Sequence, residues 1–266
     1  MIRIAVCMKQ VPDPESPPAS FSVDGEDLRV RLEGVPPVMS TFDESALELA
    51  VRLKESVEAR VTLLSAGHGM SKAVVLKAAA VGADDVALVD DEGLDRERLD
   101  GFATAEVLAG AIRKLGGFDL VLAGRQASDT NAGQVGPLLA AELGLPVAGP
   151  VQKVDLRDGT LLVERMLSDG YEKVEIDLPC VVTISHEVGE LRYPSLAAIK
   201  AAKSLPQEVF RLSDLDAAPG RGQAVDVVSL SVPSRERRCV MIEAEEPEEA
   251  GAKLAERLVA DRVLPA

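Results

Sequence analysis

Tryptophan is absent from this 266-residue chain, and all aromatic residues together reach only 3%. Its core must therefore be built from Ala, Val and Leu, the bulk of an apolar content of 47%. Histidine occurs only twice, as His68 and His186. His-based catalysis and His-rich metal sites have little to work with, and neither histidine is assigned a catalytic role. Cysteine is scarce as well: Cys7, Cys180 and Cys239 are far apart, odd in number and in no metal-ligand spacing. Buried structural thiols in a reducing compartment are expected. Basic residues are outnumbered, 29 Lys and Arg against 44 Asp and Glu, for a net charge of −15. That balance argues against nucleic acid and anionic membrane as partners. It leaves solubility alone, or a basic protein surface. No apolar run approaches a membrane span. The opening MIRIAVCMKQV turns polar too soon for a signal peptide, so a cytoplasmic protein is expected.

What is present is concentrated in AGRQASDTNAGQVGPLLAAELG, Ala123 to Gly144. An apolar strand, Phe118–Ala123, opens through small and polar residues into an amphipathic helix carrying Leu138, Leu139, Ala141 and Leu143. Glycines at 124, 133 and 136 leave backbone N–H groups bare near the positive end of that helix, which suits a phosphate. An ordinary βα loop with a good N-cap is the plainer alternative. The length of the loop and its Gln126, Asp129, Asn131 and Gln134 favour nucleotide binding, because sites in open α/β sheets lie at strand C-termini.

The rest of the chain alternates between strand and helix patterns. Strands are expected at Ile2–Met8, Arg60–Ser65, Val86–Val89 and Phe118–Ala123. Between them come a polar hairpin around Asp24–Arg31, a helix capped by Thr41 or Asp43, a helix from Ser71, and a helix over Gly101–Leu115. Strands separated by single helices predict α/β architecture, a doubly wound and mostly parallel sheet. After Pro150 three alternating stretches, Val151–Asp155, Thr160–Met166 and Glu172–Ile176, are joined by Asp-Gly pairs and predict a hairpin addition over 151–177. Leu178–Ser185 suits a buried strand returning to the main sheet. A short helix should follow from Leu196 to about Lys203. The expected division is a nucleotide-binding domain over 1–205 and a C-terminal arm over 206–266. The arm holds a Pro/Gly-rich link at Ala217–Gly222, a strand near Arg238–Ile242 and a helix from Pro247, and it docks on something else.

Six blocks in order carry a family resemblance: VCMKQVPD (Val6–Asp13), FDESALELAVRLKE (Phe42–Glu55), GADDVALV (Gly82–Val89), DLVLAGRQASDTNAGQVGP (Asp119–Pro137), LPCVVT (Leu178–Thr183) and RYPSLAAIKAAK (Arg192–Lys203). Their spacing resembles the β subunit of electron transfer flavoprotein, from about Ile2 to about Lys203. The resemblance implies the adenine nucleotide α-hydrolase-like fold without hydrolytic activity. It implies a non-catalytic subunit that pairs with an α subunit holding most of a shared FAD, and that buries an AMP. By motif match the AMP contacts are Cys7, Ser40, Thr41, Phe42, Asp43, Ala66 and the loop Gly124, Arg125, Gln126, Ala127, Ser128, Asp129, Thr130, Asn131, Ala132, Gly133, Gln134 and Val135. The phosphate would rest on Gly133, Gln134 and Val135. The partners implied are the α subunit, on which the arm over 206–266 would dock, an acyl-CoA or related dehydrogenase, and a quinone-linked oxidoreductase. A recognition segment over 186–203 would present Tyr193, Leu196 and Ile199 to the dehydrogenase.

Each residue also has a structural reading. Cys7 and Ala66 are small enough for core packing, Asp43 reads mainly as a helix cap worth about 1 kcal/mol, and Leu196 could pack on its own domain. Asp129 could bind ribose or brace the loop, and Lys9 could face the nucleotide or pair with a carboxylate. Two departures from the family pattern stand out. Where the family has Asn-Glu-Pro-Arg-Tyr this chain has Gly189-Glu190-Leu191-Arg192-Tyr193, and the missing proline should loosen the segment. Bifurcating members hold a second FAD in place of AMP above a loop reading Asp-Gly-Asp-Thr-Ala-Gln-Val-Gly-Pro, whereas this chain has Asn131-Ala132 at the Asp-Thr pair. AMP is the preferred expectation and a second FAD the alternative. An ATP-using enzyme or sensor of the same fold is disfavoured, because MKQVPDPESPP after the first strand has no glycine nest for a triphosphate.

Overall fold

The computed structural model describes residues 1–95, 99–215, 224–233 and 239–264. In chain order the elements are β1 (Ile2–Cys7), β2 (Gln10–Pro12), β3 (Phe21–Asp24), β4 (Arg29–Leu32), β5 (Pro37–Met39), α1 (Thr41–Ser56), β6 (Ala59–Gly67), α2 (Lys72–Ala79), β7 (Asp85–Asp90), α3 (Gly101–Lys114), β8 (Leu120–Gly124) and α4 (Val135–Leu143). They continue with β9 (Val147–Arg157), β10 (Thr160–Leu167), β11 (Gly170–Asp177), β12 (Cys180–Ile184), α5 (Leu196–Ala202), β13 (Gln207–Phe210) and α6 (Pro247–Ala260).

Nine strands form one sheet in the order β11-β10-β9-β12-β8-β1-β6-β7-β13. From β9 to β13 every neighbouring pair is parallel, while β10 and β11 continue the sheet antiparallel. The chain runs outward from β1 to β6 and β7, then returns to the other side of β1 with β8. The order therefore reverses between β1 and β8, the place where open α/β sheets bind ligands. The mostly parallel, doubly wound expectation holds.

Alternation along the strands divides the core into two layers. On β1, Ile4 and Val6 face one layer with Leu47 and Ala50 of α1 and Val75 of α2. Ala5 and Cys7 face the other, with Ala105, Leu108 and Ile112 of α3 and Leu139 of α4. As the shortage of aromatics required, small and branched aliphatic residues fill both. Such small side chains let the helices lie close to the sheet and bring their N-termini near the strand ends. Side-chain oxygens begin three helices: Ser71 accepts from Val74 N–H, Asp100 from Ala103 N–H and Ser195 from Ala198 N–H. Gly144, with φ +65°, closes α4.

The C-terminal part departs from expectation in three places. The sheet continues past residue 205, because β13 pairs with β7 over Gln207–Phe210. Phe210 and Leu215 are buried, since the otherwise open edge of β7 must be covered. Second, Cys239–Ile242 is irregular, not a strand, and residue 238 lies outside the described residues, as does the expected link at Ala217–Gly222. Third, only the first Asp-Gly pair makes the turn it promised. Asp158 and Gly159 have φ of +48° and +87° and form the two-residue connection between β9 and β10. In the second hairpin the turn residues are Ser168 and Asp169, and Gly170 already belongs to β11. The chain divides into two compact units, 1–230 and 231–266. In the second, α6 has no buried residue. No helix among the described residues is long and apolar enough to cross a membrane.

Candidate functional site

A crevice of about 290 Å³ opens above the C-terminal ends of β1, β6 and β8. Its floor is made by Cys7, Met8, Ser65, Ala66 and Ala123, and one wall by Leu99, Gly101, Thr104 and Leu108 at the start of α3. The other wall is the loop after β8, with Gly124, Arg125, Gln126, Ala127, Thr130, Ala132, Gly133, Gln134 and Val135. Cys7, Ala66 and Ala123 keep the floor low at the strand ends, and the start of α4 lies at the rim of the crevice.

The N–H groups of Gly133, Gln134 and Val135 find no acceptor among the described residues. Orphan donors at a helix start, beside its positive end, are what an anionic group needs. Gly133 has φ +64°, a conformation that turns the backbone toward the crevice and disfavours any side chain. Within the loop, Asn131 N–H donates to Ala127 O at 2.8 Å and Gln126 Nε2 to Asn131 Oδ1 at 2.9 Å. The loop is thus braced by its own polar residues.

Asp43 proves not to be a helix cap. The first helical carbonyl belongs to Ser40, and the Asp43 carboxylate turns away from α1. It accepts from Lys9 N–H at 2.8 Å and Gly124 N–H at 2.9 Å, tying the ends of β1 and β8 together. Both N–H groups lie where the sheet ladder stops, so an acceptor from α1 is the one within reach. Burial pushes the Asp43 carboxyl up to about 7, against the two N–H donors and the Lys9 charge. Asp129 pushes in the same direction as burial. A side chain at Gly124 would sit 2.5 Å from Asp43 Oδ1, so glycine is required there. Cys7 is buried and its thiol is pushed up to about 12 by desolvation and by Asp43, which makes it an inert wall.

Other sequence-derived residues surround the crevice without lining it. Ser40 is buried and its hydroxyl accepts from Ser128 N–H at 3.2 Å. Thr41 is exposed at the first turn of α1. Phe42 packs beneath the Arg125 guanidinium, 5.5 Å from the ring centroid, and edge-on to His186. Asp129 pairs with Lys9 Nζ at 2.8 Å. Ser65, Met70, Leu99, Asp100, Gly101, Thr104 and Leu108 were missed. Their signal was positional: they end or follow β6, or lie just before and along α3, beside the same strand ends.

A second assembly lies on the far side of α1. Tyr193 is 93% exposed and Leu196 87%, so Leu196 does not pack on its own domain. Ile199 is half-buried. The preceding residues are held firmly despite the missing proline: Ser45 Oγ donates to Gly189 O and Arg52 Nη1 to Val188 O at 2.8 Å. Arg192 reaches Glu48 and Glu55 on α1. These side chains, and no proline, tie the entry of the segment to α1.

A family model described as electron transfer flavoprotein domain matches residues 27–215. An electron transfer flavoprotein subunit beta of Thermoanaerobacterium thermosaccharolyticum is 35% identical over 241 residues, covering 89% of this chain and 90% of the relative. One from Clostridium acetobutylicum is 36% identical over 215 residues, covering 81% and 80%. The caffeyl-CoA reductase-Etf complex subunit CarD of Acetobacterium woodii is 34% identical over 219 residues, covering 82% and 81%.

Proposed function

The chain belongs to the electron transfer flavoprotein family, among its β subunits, and from that premise we propose the following division of labour. The chain is a carrier subunit with no catalytic residues of its own. It pairs with an α subunit, helps enclose an FAD held mainly by that subunit, and binds AMP in the crevice between β1 and β8. The observation that carries the AMP reading is the set of three unsatisfied N–H groups at Gly133, Gln134 and Val135 beside a slot floored by Cys7 and Ala66. A volume of about 290 Å³ lies at the small end of ligand pockets and supports a mononucleotide over a second FAD. The flavin, when bound, supplies the electron-carrying chemistry. The residues of this chain bind, orient and dock.

Tyr193, Leu196 and Ile199 form the face offered to a partner dehydrogenase of the acyl-CoA class, and CarD, by its name a subunit of a reductase complex, supports that direction. A quinone-linked oxidoreductase is a further acceptor. The chain works in the cytoplasm. The test is to co-express the chain with its α subunit, purify the heterodimer and extract its nucleotides. A yellow heterodimer yielding one FAD and one AMP supports the reading. Two FAD and no AMP would replace it with the bifurcating alternative. A colourless preparation that hydrolyses ATP would overturn it.

A further inference from the structure

The segment that presents Tyr193 and Leu196 combines two properties that rarely occur together. The Tyr193 and Leu196 side chains touch almost nothing in the chain, yet the backbone beside them is fixed at several points. Glu48 of α1 is only 3% exposed, and it receives three bonds from Arg192: the backbone N–H at 3.2 Å, Nε at 3.0 Å and Nη2 at 3.0 Å. Arg52, one turn along α1, donates Nε to the same carboxylate at 2.8 Å and its Nη1 to Val188 O at 2.8 Å. Arg192 also pairs with Glu55, two turns along from Glu48 on the same helix. Gly189 completes the arrangement with φ +123°, and a side chain there would stand 3.0 Å from Arg52 Nη2.

We propose that Glu48 and Arg192 form a clasp that sets the position of the Tyr193–Leu196 tip for the partner dehydrogenase, acting through placement and not through contact with the partner. The inference rests on the docking reading of Leu196 given above. Nothing in the folding of the sheet requires the clasp. Leu191 on one side and Ala202 and Leu205 on the other already pack against the core. The clasp acts on the stretch between these anchors, the stretch that carries the bare Tyr193 and Leu196. Geometry of this kind lowers the entropy lost on association, because the tip is ordered before the partner arrives. Burial would raise the Glu48 carboxyl, but the Arg192 and Arg52 donors outweigh it and hold the group below its ordinary value. The carboxylate therefore stays charged, and its burial shields it from salt.

The experiment uses the flavin-loaded heterodimer and a purified acyl-CoA dehydrogenase, pre-reduced with its acyl-CoA, that reduces the wild-type heterodimer. Arg192→Met, Leu196→Ala and the double variant are compared for reduction by the dehydrogenase and by dithionite. Arg192→Met should lower the dehydrogenase-driven rate about 10-fold, mainly through KM, and leave dithionite reduction unchanged. In the Leu196→Ala background it should lower the rate no further, since the tip it positions is gone. Should Arg192→Met fail to fold, Glu55→Gln removes only the exposed arm of the clasp and should lower the rate about 3-fold with the same non-additivity. A Leu196→Ala variant at the wild-type rate sinks the docking reading and the clasp with it. A slow Leu196→Ala beside an Arg192→Met at the wild-type rate, or losses that add in full, overturns the clasp alone.

Discussion

Asp43 illustrates how one carboxylate can look like a cap in the sequence and act as a brace in the fold. Both uses place an acid near a helix start, and a linear pattern cannot tell which N–H groups it will meet. Its pKa near 7, against 3.8 ordinarily, means that between those values the folded protein holds a proton the unfolded chain has released. Its contribution to stability is therefore full below about pH 4 and is lost as pH rises through 7, with a slope of up to about 1.4 kcal/mol per pH unit. Urea midpoints of the nucleotide-free protein should fall from pH 5 to 7.5 more steeply than those of Asp43→Asn. Parallel curves would show that Asp43 is ionised throughout. Gly133 supports a separate expectation. A methyl group there would meet only Arg125 O at 3.4 Å, so Gly133→Ala has room and costs about 1–2 kcal/mol from its positive φ. The same variant should lose most of its nucleotide, because the backbone that meets the phosphate shifts. Full nucleotide content at reduced stability would mean that the phosphate lies elsewhere.

The secondary elements were legible where periodicity was long, as in α1, α3 and the strands of the parallel sheet, although the cap of α1 was misplaced. β13 was not. Its four residues, Gln207–Phe210, are too few for a pattern, and what makes them a strand is the open edge of β7. Nor was the clasp, because Glu48 and Arg192 stand 144 residues apart and each looks like surface charge. The Asp-Gly pairs divide for a related reason. Strand register, set by which face is buried, decides whether the turn falls on the pair or one residue before it. At the first pair Gly159→Ala should cost about 1 kcal/mol through its φ of +87°, with nothing nearby to clash. The measure is the denaturant midpoint at an unchanged m-value. An unchanged midpoint would show that strand pairing alone determines the connection between β9 and β10.

The crevice and the Tyr193–Leu196 tip lie on one body, 1–230, while 231–266 forms a second that carries little core of its own. Leu254 and Val259 of α6, and Met241 before it, stay open to solvent. If this arm binds the α subunit, as the family resemblance implies, amide exchange over 239–264 should be fast in the free chain and slow by about tenfold or more in the heterodimer. Equal protection in both would show that the arm is not part of the interface. The brace between Lys9, Asp43 and Gly124 has one more consequence, for the order in which the molecule comes into being. Its three parts enter from the ribosome 34 and 81 residues apart, and the helix start at Val135 comes later still. A nascent chain halted before residue 135 lacks the start of α4, where the phosphate is proposed to rest. If AMP binds as proposed, its capture would mark the moment when synthesis has passed the reversal of the sheet, and a truncated product would fail to retain the ligand.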